Sequence, residues 1–125
     1  MADLFNFELV SPERRLASGK VAMVVVPGVE GDFGVLPGHA PMMSTIRPGA
    51  IAIYEADSNS LTRRVFIEGG FAEVNDTGLT ILAERATPVE DIDPAKVATD
   101  LAAARSAGDE VAVARFEAMQ AAVVN

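Results

Sequence analysis

The chain is predicted to be an α+β protein: an N-terminal antiparallel β-sandwich, or flattened barrel, over residues 1–86, then a C-terminal α-helical hairpin over residues 87–125. Three observations predict this. The first 86 or so residues are rich in Val, Ile, Phe and Thr and hold nine of the ten glycines. Apolar segments of strand length recur there, separated by turn residues and with no helical segment between them. From about residue 92 the apolar spacing becomes that of a helix, and eleven residues between 95 and 122 are alanine.

The elements follow in order. In residues 4–10, Phe5, Phe7 and Leu9 alternate with Asn6 and Glu8, the pattern of a half-buried strand. Residues 20–26 are apolar on both faces from Val21 onward and read as a central strand. Further strands are expected at 50–55, 62–68, 71–74 and 79–83. The turn signals between them are Ser18-Gly19, Pro27-Gly28, Pro48-Gly49, residues 57–60, Gly69-Gly70 and residues 75–78. Gly69-Gly70 reads as a bulge or tight turn between two strands. Short spacings without helices predict antiparallel pairing. Asp93-Pro94 supplies an N-cap and a first-turn proline. Val97, Leu101 and Ala104 then fall on one helical face. Ala107-Gly108-Asp109 stops that helix and caps a second, whose stripe is Ala112, Phe116, Met119 and Val123. Alanine favours helix but buries little area. The pair therefore suits either an arm that moves or an economical, fixed helix pair.

Composition removes several classes of function. Half of the 125 residues are hydrophobic, enough for a core without covalent staples. No cysteine is present, which excludes disulfides and thiolate metal sites. The one histidine, His39, would need three carboxylates to complete a zinc site, so no metal is expected. The net charge of −8 argues against nucleic acid and anionic lipid. The pairs Arg14-Arg15 and Arg63-Arg64 have no interleaved aromatics and read as strand ends or turns. No apolar run is long enough to cross a bilayer. The Met1-Ala2-Asp3 start lacks the marks of a signal or transit peptide, so a cytosolic, bacterial setting is expected.

Residues 30–41 are the most demanding stretch, with three glycines and two prolines in twelve residues. Phe33, Val35 and Leu36 anchor it, because their apolar side chains favour burial. It holds no Lys, Arg, Ser, Thr or Cys, so it is neither a phosphate loop nor a nucleophile elbow. Gly28, Gly31 and Gly34 lack dinucleotide-loop spacing, and no helix follows them. A trio of Ser11 or Ser44, His39 and Asp32 can be written, but neither serine sits in a nucleophile turn. No catalytic residue is assigned. The stretch reads as a surface shaped for another protein.

Residues 30–41, with 7–14 before them and Phe66-Ile-Glu-Gly-Gly-Phe-Ala-Glu-Val74 after them, resemble the epsilon subunit of bacterial F-type ATP synthase. Leu79-Thr-Ile-Leu-Ala83 and Glu90-Asp-Ile-Asp93 continue the match in order, over roughly the first 105 residues. The resemblance implies a non-catalytic rotor subunit of the central stalk in a proton-driven machine. It would be peripheral, on the cytoplasmic face of a bacterial inner membrane. Glu30, Gly31 and Asp32 would reach the ring of c subunits. His39, Pro41, Met42 and Met43 would pack on the shaft (gamma) subunit, where methionines suit an adaptable contact. The helical arm is the element that would reach the catalytic alpha and beta subunits.

No cofactor is required by this reading, but ATP is a candidate regulatory ligand. Some members bind it through Ile/Leu-Asp-x-x-Arg-Ala at the start of the first helix. Here Ile92 and Asp93 match, Lys96 replaces arginine and Val97 replaces alanine. Lysine keeps the charge and loses the bidentate fork. The alternative function is a regulator that inhibits ATP hydrolysis or senses ATP through its helices. Against it, residues 93–125 carry five acids and three bases, where an inhibitory arm needs basic residues.

Overall fold

The computed structural model describes residues 3–57 and 59–124. Eight strands come first: β1 (Phe5–Val10), β2 (Arg15–Val21), β3 (Met23–Gly28), β4 (Gly31–Val35), β5 (Met42–Thr45), β6 (Gly49–Tyr54), β7 (Arg63–Asn75) and β8 (Gly78–Pro88). A 3-10 turn, Val89–Asp91, leads to α1 (Pro94–Ala107) and α2 (Glu110–Val124). The α+β fold of a sandwich followed by a helical pair is the one expected. Ser58, within the anticipated 57–60 turn, and Met1-Ala2 lie outside the described residues.

The strands form one hydrogen-bonded path, β2-β1-β8-β7-β6-β3-β4, with β5 also paired to β7, and the sheet does not close into a barrel. The path folds into two layers because β7 and β8 belong to both. Residues 71–74 of β7 pair with β5, and residues 63–67 pair with β6. β1 pairs with β8 only over residues 78–82. Phe7, Leu9, Leu79 and Ile81 from one layer meet Val24, Val26, Ile51 and Ile53 from the other in the main core. Such burial of branched apolar side chains is the main source of stability here.

Four local readings are corrected. First, β1 and β8 run parallel, alone among the pairings. β8 reaches β1 only after the chain has traversed the second layer, so no tight turn fixes their relative direction. Second, residues 20–26 are not one strand. Lys20 and Val21 end the edge strand β2, and Ala22 is where the chain leaves β1 for β6, its N–H donating to Tyr54 O at 2.7 Å. Third, residues 31–35 form edge strand β4 on β3, and Leu36 is exposed rather than buried. Gly31 at φ 131° lets the chain turn tightly after Val29-Glu30.

Fourth, Gly69-Gly70 ends no strand, because the β7–β8 pairing keeps one register on both sides of it. The side-chain phase shifts instead. Val65 and Ile67 face the core before the glycines; Ala72 and Val74 face it after them. In β8 the phase changes likewise between Ala83 and Ala86. This is a corner at which a strand changes layer. Gly70 has φ +135°, and a Cβ there would lie 2.0 Å from Leu82 O, so only glycine fits.

The helices form the expected pair. Asp93 accepts from Ala95 N at 3.0 Å and caps α1, with Pro94 in its first turn. Gly108 at φ +70° ends α1, and its N–H reaches Ala104 O and Arg105 O. Asp109 caps α2 by accepting from Ala112 N at 3.1 Å. Val97, Leu101 and Ala104 are buried as the spacing required. A second core joins the arm to the outer face of the sandwich through fully buried Phe66, with Ile92, Val97 and Ala122. Phe116, Met119 and Val123 of the expected stripe pack against it half-buried, so Ala122 makes the deepest contact.

Candidate functional site

Among the described residues no polar side chain is buried, and no group of His, Asp and Glu could hold a metal ion. The chemistry offered is that of contact surfaces, and three deserve description.

The first is the β3–β4 hairpin. Glu30 lies in its exposed two-residue turn, and Gly31 and Asp32 open β4. Asp32 is not free. Arg47, entering from the β5–β6 connection, holds Asp32 Oδ1 at 2.5 Å and donates to Gly28 O at 2.7 Å. The backbone adds a further tie, since Arg47 N–H donates to Pro27 O at 3.0 Å. The turn is therefore presented stiffly, with Glu30 as its unpaired acid. Sequence reasoning missed Arg47, which lies fifteen residues from Asp32.

The second surface is the outer face of the β5-containing layer. Met42 turns inward onto the core, while Met43 turns outward and is 65% exposed. His39 is half-buried at the end of the sandwich, its Nδ1 2.7 Å from Ala40 O. It shares a cleft of about 290 Å³ with Phe5, Pro41 and Val74. His39, Pro41, Met42 and Met43 thus do not share one face. Register supplies the neighbours that sequence spacing could not. Met43 pairs with Glu73, and Thr45 with Phe71. Phe71 pairs with Leu82, which pairs in turn with Val10. Cross-strand partners share a face. Val10, Leu82 and the 40% exposed Phe71 therefore form an apolar row beside Met43.

The third is a cleft of about 340 Å³ between the arm and the sandwich. It brings together Asp93, Lys96 and the edge of Ile92 with Arg85, Arg115 and Glu68. Ile92 is buried in the arm core, and the Asp93 carboxylate is engaged in capping. Lys96 Nζ contacts Asp100 at 3.0 Å, and Arg115 Nε contacts Glu68 at 3.5 Å. The second and third cations of this cleft, Arg85 and Arg115, come from distant elements and were not anticipated.

Comparison with known proteins identifies the family. Residues 4–89 match the family described as ATP synthase, Delta/Epsilon chain, beta-sandwich domain. The ATP synthase epsilon chain of Maricaulis maris is 57% identical over 132 residues, covering 97% of this chain and 97% of that one. The epsilon chain of Parvibaculum lavamentivorans is 51% identical over 104 residues, covering 83% of this chain and 77% of its own. A chain in the cryo-EM structure of the Euglena gracilis mitochondrial ATP synthase, which comprises OSCP, F1 and c-ring, superposes with a TM-score of 0.86 at 30% identity. That match covers 96% of this chain and 81% of the other. A chain of the Tetrahymena thermophila central stalk and c-ring shares the fold alone, at TM-score 0.67 and 14% identity over 98% of both chains. The chain therefore belongs to the delta/epsilon family of ATP synthase, as an epsilon chain, a subunit that does not itself catalyse.

Proposed function

We propose that the chain links the shaft (gamma) subunit to the c-ring in the rotor of a proton-driven F-type ATP synthase, peripheral to the cytoplasmic face of a bacterial inner membrane. The observation that carries this is the outward-facing apolar row of half-buried Val10 and Leu82 with exposed Phe71, beside exposed Met43. An outward-facing apolar patch of this kind supports a contact with another protein. It gives the shaft subunit a surface of methionine and aromatic side chains, the types that carry interface energy. The stiff β3–β4 turn meets the polar loops of the ring through Glu30. No helix among the described residues is long and apolar enough to cross a membrane.

The test is a pull-down of the shaft subunit by the full chain, with Phe71→Glu and Met43→Glu variants. Each should weaken capture at least tenfold without lowering thermal stability. Undiminished capture by both would place the shaft subunit elsewhere.

A second reading, ATP as a regulatory ligand, rests on the convergence of Arg85, Lys96 and Arg115 in the arm cleft. Phosphate there would have to displace the carboxylates of Asp100 and Glu68 from two of the three cations. Binding is accordingly expected to be weak. Titration calorimetry of ATP into the full chain, with Arg85→Ala and Arg115→Ala controls, decides it; heat that survives both substitutions would remove this cleft from consideration.

A further inference from the structure

We propose that Arg64 is the latch that keeps the helical arm docked on the sandwich, so that one side chain of β7 sets the docked and released populations of the arm. Along the outer face of β7, Arg64, Phe66 and Glu68 alternate with the core-facing Val65 and Ile67. All three outward side chains are spent on the arm. Arg64 Nη1 donates to Ala122 O at 2.7 Å, across 58 residues of sequence. Phe66 is fully buried against Ala122 and its neighbours. Glu68, its side chain only 14% exposed, faces Arg115. The polar contacts lie four residues apart on the strand, about 13 Å. They lie seven apart on α2, about 10 Å. The two elements therefore match at both ends, with Phe66 between.

The two polar contacts are unequal. The Glu68–Arg115 pair is long, at 3.5 Å, and Arg115 also lies over the ring of Phe116, 4.7 Å from its centroid. The Arg64 contact is short and charge-assisted. It satisfies one of the last carbonyls of α2, which have no partner within the helix. A guanidinium there also meets the negative end of the helix dipole. Around Phe66 the arm core combines Ala50, Ala118 and Ala122 with Ile92, Val97, Phe116, Met119 and Val123. These apolar contacts supply most of the docking free energy, and the charged hydrogen bond adds an increment at the α2 C-terminus large enough to shift the docked and released populations. Release would uncover Phe66 and Met119 while leaving the main sandwich core closed, because that core lies on the other face of β7.

The chain has no cysteine, so paired labels report the arm cleanly. Val111 on α2, 80% exposed, and Glu84 on β8 line one cleft in the docked state. Spin labels on Val111→Cys and Glu84→Cys in the full chain should give a single short distance. Arg64→Ala should raise the ratio of long to short distances roughly tenfold or more, the effect of one charge-assisted hydrogen bond. Arg64→Lys should fall between the two. A chain ending at Ala121 lacks the acceptor and, with it, Ala122 and Val123 of the arm core. It should release the arm further than Arg64→Ala does, and Arg64→Ala should add nothing in that background. An unchanged short distance in both Arg64→Ala and the shortened chain overturns the proposal, as does full additivity of the two changes. If Arg64→Ala does not fold, Arg64→Gln, which keeps most of the stem and removes the charge, decides by the same distance measurement.

Discussion

Asp32 stands on the exposed side of β4, yet its carboxylate fixes the pose of a whole turn through Arg47. Asp32→Lys removes that partner and sets two like charges side by side. A surface pair of this kind contributes up to about 1 kcal/mol, and the repulsion adds to the loss. We expect Asp32→Lys to lower unfolding free energy by about 1 kcal/mol in urea and to weaken coupling in a reconstituted complex. Asp32→Asn should show the stability loss with less effect on coupling. Equal coupling in both variants and the parent would mean that the turn does not face the ring. Gly70 is a sharper case. Its backbone conformation and the 2.0 Å approach of Leu82 O leave no room for a methyl group. Gly70→Ala is expected to cost at least 2–3 kcal/mol, measured as a fall in denaturation midpoint. At this scale the sequence displays single features well: an exposed acid, a glycine pair, an outward methionine. It hides their partners. Nothing near Asp32 in sequence announces Arg47, and nothing in Arg63-Arg64 distinguishes Arg63, paired with Glu55 at 3.1 Å, from Arg64, committed to the arm.

Helices α1 and α2 were legible because their ends are written in short-range chemistry. Asp93-Pro94, Gly108 and Asp109 each act on residues within five positions of themselves. Removing the first cap by Asp93→Ala should lower the stability of the arm by about 1 kcal/mol, seen as earlier loss of helical circular dichroism on heating. An unchanged melt would show that docking, not capping, limits the arm. The strands were legible where they begin and end at turns, and obscure where they bend. Gly69-Gly70 carries every local sign of a turn, yet β7 continues through it because β8 bends in concert. The parallel pairing of β1 with β8 depends on where the chain has been in the intervening residues, and local pattern does not encode that. The apolar row on the outer face was unreadable for the same reason. Its members come from β1, β7 and β8, and only register makes them neighbours.

As a whole, the molecule is a sandwich with a separately capped arm on one face. Deleting residues 93–125 should leave the sandwich folded, since the main core takes no residue from the arm. It would also expose Phe66, so the shortened chain should self-associate at lower concentration than the parent, measurable by light scattering. In membranes the same deletion should leave ATP synthesis largely intact and raise ATP hydrolysis little. The acidic balance of residues 93–125 gives the arm no attraction for an acidic partner loop. A many-fold release of hydrolysis would instead assign the arm an inhibitory role.

The passage of β7 through both layers has a mechanical meaning. Two sheets held only by side-chain contact can slide over one another. Two sheets sharing a covalent strand cannot, because any displacement at the Met43 face is drawn along β7 to the Phe66 face. β5 and β6 lie end to end against that same strand, and Ile46 N–H bonds Gly70 O at 3.0 Å where they meet. The sandwich is thereby a stiff coupling, and compliance is confined to the helices. Hydrogen exchange should record this directly, with β7 and β8 amides exchanging last and those of α1, which hangs from α2, exchanging first. The proposed place in a rotor, passing on a twist without absorbing it, calls for that distribution of stiffness.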